Sequence, residues 1–199
     1  MRKTAGLVAL ILAVSVAAYG QDSFSLVIVN TRHEPLGGAT VKELPDGKTV
    51  LAACVDMNQT YRRSGFGPAM AKFIALVSYS GPLPSDYAEE PAPDPAMFGL
   101  PTEDDGSRDD PLLGLNMPWC AAYQHDFDAL RAAPTRIVIG VGAQSGATLP
   151  ARAATALAGK LGIEPVTFPG GHNGFLSGGH VGAGDPDAFA VILREALAG

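Results

Sequence analysis

The chain has 199 residues, 47% of them hydrophobic, enough for one sizeable core and short for two ordinary domains. Its formal charge of -6 argues against a nucleic-acid binder. The acidity is local: residues 82–111 hold nine carboxylates and one arginine, a net -8 that leaves +2 for the rest of the chain.

Met1-Arg2-Lys3 precedes an apolar run over residues 5–18, and Ala18-Tyr19-Gly20 places small residues at its end. That layout fits a secretory signal peptide over residues 1–20, and it also fits a first core helix. The run is shorter than the roughly 18 to 20 apolar residues a membrane-spanning helix needs. The compartment follows the choice: exported with a genuine leader, cytoplasmic without one. Leu26-Val27-Ile28-Val29 reads as a buried strand, because an unbroken β-branched run suits a parallel sheet covered on both faces. Residues 49–61 are predicted helical. A second helix over residues 68–77 places Met70, Phe73, Ile74 and Val77 on one face by their i, i+3, i+4, i+7 spacing. Residues 82–111 hold seven of the 16 prolines and no hydrophobic periodicity, which predicts an irregular, exposed and mobile loop. Residues 116–130 resume as one or two short helices.

The last third is the most regular. Residues 136–141 form an apolar strand, Leu149, Ala153, Leu157 and Leu161 mark a helix face, and residues 165–168 form another strand. Asp185-Pro186 opens a final helix, with Asp as the cap and Pro in the first turn, and Phe189, Leu193 and Leu197 as its buried stripe. Strand, helix, strand, loop, helix implies parallel strands joined by a right-handed crossover, an α/β architecture.

Chemistry concentrates at Phe168-Pro169-Gly170-Gly171-His172-Asn173-Gly174-Phe175. Loops at the carboxyl ends of parallel strands form the usual ligand crevice of an open sheet. An imidazole there, with an ordinary pKa near 6.5, can take and return a proton at neutral pH, so His172 is the candidate general base. The alternative is a histidine that only holds its loop. No strict Gly-x-Ser-x-Gly occurs, but Ala143-Gln144-Ser145-Gly146-Ala147 is a relaxed version in which small residues flank a serine between strand and helix, making Ser145 a weaker candidate nucleophile. Cys54 and Cys120 have no CxxC partner and no companion histidines. They read as buried free thiols, or as one long-range disulfide if the chain is exported. His172, His180 and Asp185 match no standard ligand spacing, and Asp185 would repel a phosphate from the glycines ahead of the last helix. No metal and no cofactor is expected.

From about His33 onward the chain resembles the C-terminal half of an α/β-hydrolase-fold protein, in particular bacterial hydrolases with a small helical cap. The resemblance rests on His33-Glu34-Pro35-Leu36, Thr60-Tyr61-Arg62-Arg63 with Gly65, Gly67-Pro68-Ala69-Met70-Ala71-Lys72-Phe73, Ala132-Ala133-Pro134-Thr135-Arg136-Ile137-Val138-Ile139, and the segment around His172. It implies a partial parallel sheet flanked by helices, a cap over about residues 49–125, and His172 as the triad histidine delivered by the last strand. It further implies cofactor-independent hydrolysis of a small ester, amide or related bond, with Met70, Phe73, Asn173 and Phe175 at the substrate pocket. The nucleophile elbow would fall near or before Met1, where Lys3-Thr4-Ala5-Gly6 is a distant echo with Thr4 at the nucleophile position. The acid would fall in residues 142–146, which contain no Asp or Glu. Residues 21–199 are therefore expected to form a single, incomplete domain with impaired chemistry on a small-molecule substrate. The rival reading is a non-catalytic remnant or binding module, whose missing front strands leave a sheet edge for a second copy to cover.

Overall fold

The structure, a computed structural model, describes residues 8–11, 44–177 and 184–198. In chain order they form β1 (Val8–Ile11), α1 (Gly47–Ser64), α2 (Phe66–Ser78), α3 (Met117–Ala122), α4 (Phe127–Ala132), β2 (Arg136–Gly142), α5 (Leu149–Leu161), β3 (Val166–Phe168) and α6 (Pro186–Ala198). They group into two units: residues 1–37, 125–146 and 150–199 in the first, residues 38–124 and 147–149 in the second.

The first unit is organised by β2. Successive side chains of a strand point to opposite faces, and here both faces are covered. On one, Ile137 and Ile139 pack with Leu157, Ala158 and Leu161 of α5 and with Phe127 and Leu130 of α4. On the other, Val138 packs with Leu193 and Ala196 of α6 and with Val166. Burial on both faces is the condition under which strands pair in parallel. β3 runs parallel to β2, from Gly140 opposite Val166 to Gly142 opposite Phe168. β1 runs parallel along the other side of β2, from Val8 opposite Arg136 to Ile11 opposite Ile139. The result is a small parallel sheet flanked by helices. The helix ends are tied as the residue types suggest: Asp185 accepts from the Ala188 N–H at 3.0 Å, Asp126 accepts from the Ala129 N–H at 2.9 Å, and Arg136 donates to the Ala196 carbonyl at 2.6 Å, where α6 leaves an orphan acceptor.

Of the apolar run over residues 5–18, only Val8–Ile11 is described, and it is extended and paired with β2. The rest of that run and the expected strand at residues 26–29 lie outside the described residues.

The second unit is helical. α1 and α2 are longer than their apolar periodicity suggested, and they break at Gly65, whose φ of 80° is the left-handed region that favours glycine. The Gly65 N–H still reaches the Tyr61 carbonyl at 3.0 Å. Val50, Cys54, Met57 and Tyr61 of α1 and Ala69, Met70, Phe73 and Leu76 of α2 are buried. Residues 112–116 form a π-helical turn. Asn58 supplies what that irregular turn needs, donating to the Leu113 and Gly114 carbonyls at 2.7 and 3.0 Å. The buried Tyr61 hydroxyl accepts from the Asp110 N–H at 2.9 Å. α3 and α4 are the short helices expected at 116–130.

The acidic segment 82–111 is irregular, with 3-10 turns at Tyr87–Glu89 and Pro95–Phe98, but it is anchored and not exposed throughout. Leu83 and Leu100 are buried, and the Leu83 N–H donates to the buried carboxylate of Asp46 at 2.7 Å. Lys72 binds Asp56 at 2.7 Å and the Glu90 carbonyl at 2.6 Å. Arg108 chelates Asp104 at 2.9 and 2.7 Å. Two isolated leucines give no periodic signal in the sequence, yet their burial fixes the path of the loop.

Both cysteines are free thiols. Among the described residues no helix is long and apolar enough to cross a membrane.

Two outcomes follow from this packing. Ile139 is fully buried, so Ile139→Ala removes about 2 to 5 kcal/mol from the first unit, read as lost amide-exchange protection in β2, while exposed Thr167→Ala leaves that protection unchanged. Burial pushes the Cys54 thiol from 9.0 up to about 12. Below about pH 9 both folded and unfolded chains hold this proton. Above it only the unfolded chain releases the proton, so stability falls as pH rises. The urea midpoint therefore drops as pH rises from about 9 towards about 12, and Cys54→Ala removes part of the drop.

Candidate functional site

The loops at the carboxyl ends of β2 and β3 are held together by a continuation of the strand ladder. The Ala143 N–H donates to the Phe168 carbonyl and the Gln144 N–H to the Gly170 carbonyl, both at 2.8 Å. The chain after β2 then turns on itself, with the Ser145 N–H on the Gly142 carbonyl at 3.0 Å. Gly142 has no room for a side chain: a methyl group there would lie 2.5 Å from the Gly171 carbonyl oxygen and 2.6 Å from Ser145 Oγ. Two atoms this close to one point are no more than about 5 Å from each other. Thus Ser145 Oγ sits beside the residue that precedes His172.

The histidine loop is built as tightly. Gly170 has a φ of 81°, and a Cβ on it would come within 2.7 Å of the Gly174 Cα. A Cβ on Gly174 would in turn collide with the Pro169 carbonyl. Backbone bonds from Gly174 N–H to the Gly171 carbonyl at 3.1 Å and from Asp185 N–H to the Gly174 carbonyl at 3.0 Å close the loop and join it to the start of α6. The flanking glycines are needed for packing, not only for the turn.

Ser145 and His172 line one small recess of about 40 Å³, together with the backbones of Gly140 and Gly142 and the rings of Phe168 and Phe189. That volume holds a few water molecules. Ser145 is buried and His172 half-buried. Burial pushes the imidazole pKa below 6.5, because a charged ring would be poorly solvated. At pH 7 the ring is therefore neutral and carries a lone pair able to accept a proton. No Asp or Glu is among the described residues that line the recess.

The other expected site residues are distributed differently. Met70 and Phe73 are 4% exposed in the interior of the second unit. Asn173 stands beside His172, with its side-chain oxygen buried and without a hydrogen-bond partner among the described residues. Phe175 packs edge-on against Phe189 at 5.9 Å, and Phe189 packs on Phe168 at 4.6 Å. Asp185 spends its carboxylate on capping α6. Thr4 and His180 lie outside the described residues. Among the described residues no group of three or more His, Cys, Asp or Glu is placed to hold a metal.

Phe168 and Phe189 were legible only as core residues of a strand and a helix, and Gly140 and Gly142 only as the end of a strand. The signal that points to them is the Gly-x-Gly spacing at Gly140-Val141-Gly142, since glycine inside a strand marks a close approach of other backbone or side chains.

An imidazole whose folded pKa lies below its unfolded value stabilises the fold above about pH 6.5 and loses that contribution as pH falls through the folded pKa. Titration of the His172 ring by NMR is expected to give a midpoint below 6.5, with the urea midpoint falling over the same window. In His172→Gln that part of the acid sensitivity disappears.

No known family model matches the chain, no curated protein matches it, and no solved structure matches it.

Proposed function

We propose that this chain is an α/β-hydrolase-like protein that cleaves a small ester or amide slowly, with Ser145 as nucleophile and His172 as general base and acid. The observation that carries the reading is that these two side chains line one recess at the carboxyl ends of two parallel strands. The parallel sheet flanked by helices supports it. So does the separate, largely helical unit whose described residues include 44–124, in the place in the sequence where a capped hydrolase carries its cap.

In this reading the neutral His172 ring accepts the Ser145 hydroxyl proton as Oγ attacks the carbonyl carbon. The ring then returns the proton to the leaving alcohol or amine as the bond to it breaks. Water, deprotonated by the same ring, releases the acid and restores the serine. In serine hydrolases a carboxylate stabilises the imidazolium formed midway and is worth about 10⁴ in rate; none is among the described residues that line the recess. Three residues also separate Ser145 from the start of α5, where a nucleophile elbow would run straight into its helix. That departure from the elbow geometry makes the proposed activity weak.

The small lining of mostly apolar groups also supports a second reading, in which the recess holds a small molecule without cleaving it. A chromogenic acetate ester separates the two. Under the catalytic reading Ser145→Ala and His172→Ala each lower the rate about 100-fold, and the wild-type rate rises with pH to a plateau whose midpoint lies below 6.5. Equal rates in wild type and His172→Ala would discard catalysis and leave the binding reading.

A further inference from the structure

The helical segment over residues 112–122 packs into the second unit through Leu113 and Ala121, both buried. Its outer side carries Leu115, Trp119 and, at the end of the segment, Tyr123, which are 58%, 72% and 46% exposed. Residues four apart share one side of a helical segment, so the three form a ridge about 12 Å long. Large aromatic side chains of this kind supply most of the energy when a surface of a protein is covered by a partner.

One end of the ridge is acidic. Residues 101–109 are exposed throughout, and while Arg108 neutralises Asp104, Glu103, Asp105 and Asp109 form no salt bridge among the described residues. This acidic turn is fixed beside the ridge. The Leu113 N–H donates to the Asp110 carboxylate at 2.8 Å and the Gly114 N–H to the Asp110 carbonyl at 2.9 Å, and a Cβ on Gly114 would lie 3.6 Å from the Arg108 carbonyl oxygen. Leu115 is the next residue.

From Asp109 to Gln124 the chain has no Lys or Arg. A second copy meeting through this ridge would therefore bring no cation to the carboxylates. A bilayer is a poor match as well, because interfacial helices carry Lys and Arg on their polar side, and anionic headgroups would be repelled. A partner whose apolar side chains are flanked by Lys or Arg complements both halves of the surface. We infer that Leu115, Trp119 and Tyr123, with the acidic turn at residues 103–109, form a docking surface for a cationic, amphipathic segment of another protein. The surface is independent of the chemistry at Ser145 and His172.

Trp119 is the single tryptophan, so its emission reports this surface alone. The probe is a short helical peptide of leucine and lysine, compared with one in which glutamate replaces lysine. Titrated into the full chain, the lysine peptide is expected to shift the Trp119 emission to the blue, and the glutamate peptide is not. Glu103→Gln, Asp105→Asn and Asp109→Asn made together should weaken binding about tenfold, through three lost ion pairs, and Leu115→Ser should weaken it by a similar factor through lost apolar burial. Trp119→Ala, followed by calorimetry, should weaken it at least tenfold. If Trp119→Ala fails to fold, Leu115→Ser carries the apolar half of the test. The inference is overturned if the glutamate peptide binds as tightly, if the triple variant or Leu115→Ser binds the lysine peptide as wild type does, or if calorimetry detects binding while the Trp119 emission stays unchanged. A blue shift on phosphatidylcholine vesicles, or a dimer in sedimentation that Trp119→Ala dissociates, would assign the ridge to a bilayer or to a second copy and overturn it too.

Discussion

Where β2 ends, Gly142 has no side chain, and that empty position is occupied from two directions. The Gly171 carbonyl comes from the histidine loop and Ser145 Oγ from the turn after β2, and any Cβ on Gly142 would displace one of them. The ladder bonds from Ala143 and Gln144 bring the two loops together, but only glycine allows them to close to this distance. The shared recess, the burial of Ser145 and the partial burial of His172 all depend on that contact. A single missing methyl group thus makes two otherwise unrelated loops into one site.

The contact is precise because what stands behind it is stiff. β2 has Ile137 and Ile139 committed to one face and Val138 to the other, so it cannot rotate or slip by one residue without turning its buried set outward. α6 is capped at one end, bonded at the other and joined to the Gly174 carbonyl, which places Phe189 and His172 in one frame. The neutrality of the His172 ring follows from the same closeness, since excluding water disfavours the charged form. Packing, position and protonation state here have one cause.

The second unit shows a different economy, in which polar side chains repair irregular backbone. The π-helical turn at Leu112–Asn116 gives up regular bonding, and Asn58 meets two of its carbonyls. Asp46, Lys72 and Arg108 do similar work for the acidic segment, each holding backbone or a carboxylate at a bend. These residues carry no local mark in the sequence, because their partners lie 16 to 56 positions away or, for Arg108, on a turn of the same loop.

The sequence by itself determined whatever repeats at short range. Although the stripe expected on α6 ends at Leu197, which is 42% exposed, the apolar run of β2, the helix face of α5, the Asp185 cap and the glycine-rich setting of His172 are all properties of neighbours in the chain, and local periodicity and turn chemistry report them. It placed the acidic segment as irregular, and missed its anchoring because Leu83 and Leu100 are single residues without a pattern. Only the tertiary structure decided that Ser145 and His172 share a recess, that Phe168 and Phe189 bound it, and that Met70 and Phe73 are core residues of a separate unit. The physical reason is that a site is made by long-range closure. Which loops meet depends on the register of β2 with β3 and on where a glycine permits contact, and neither is written in the residues next to the serine or the histidine.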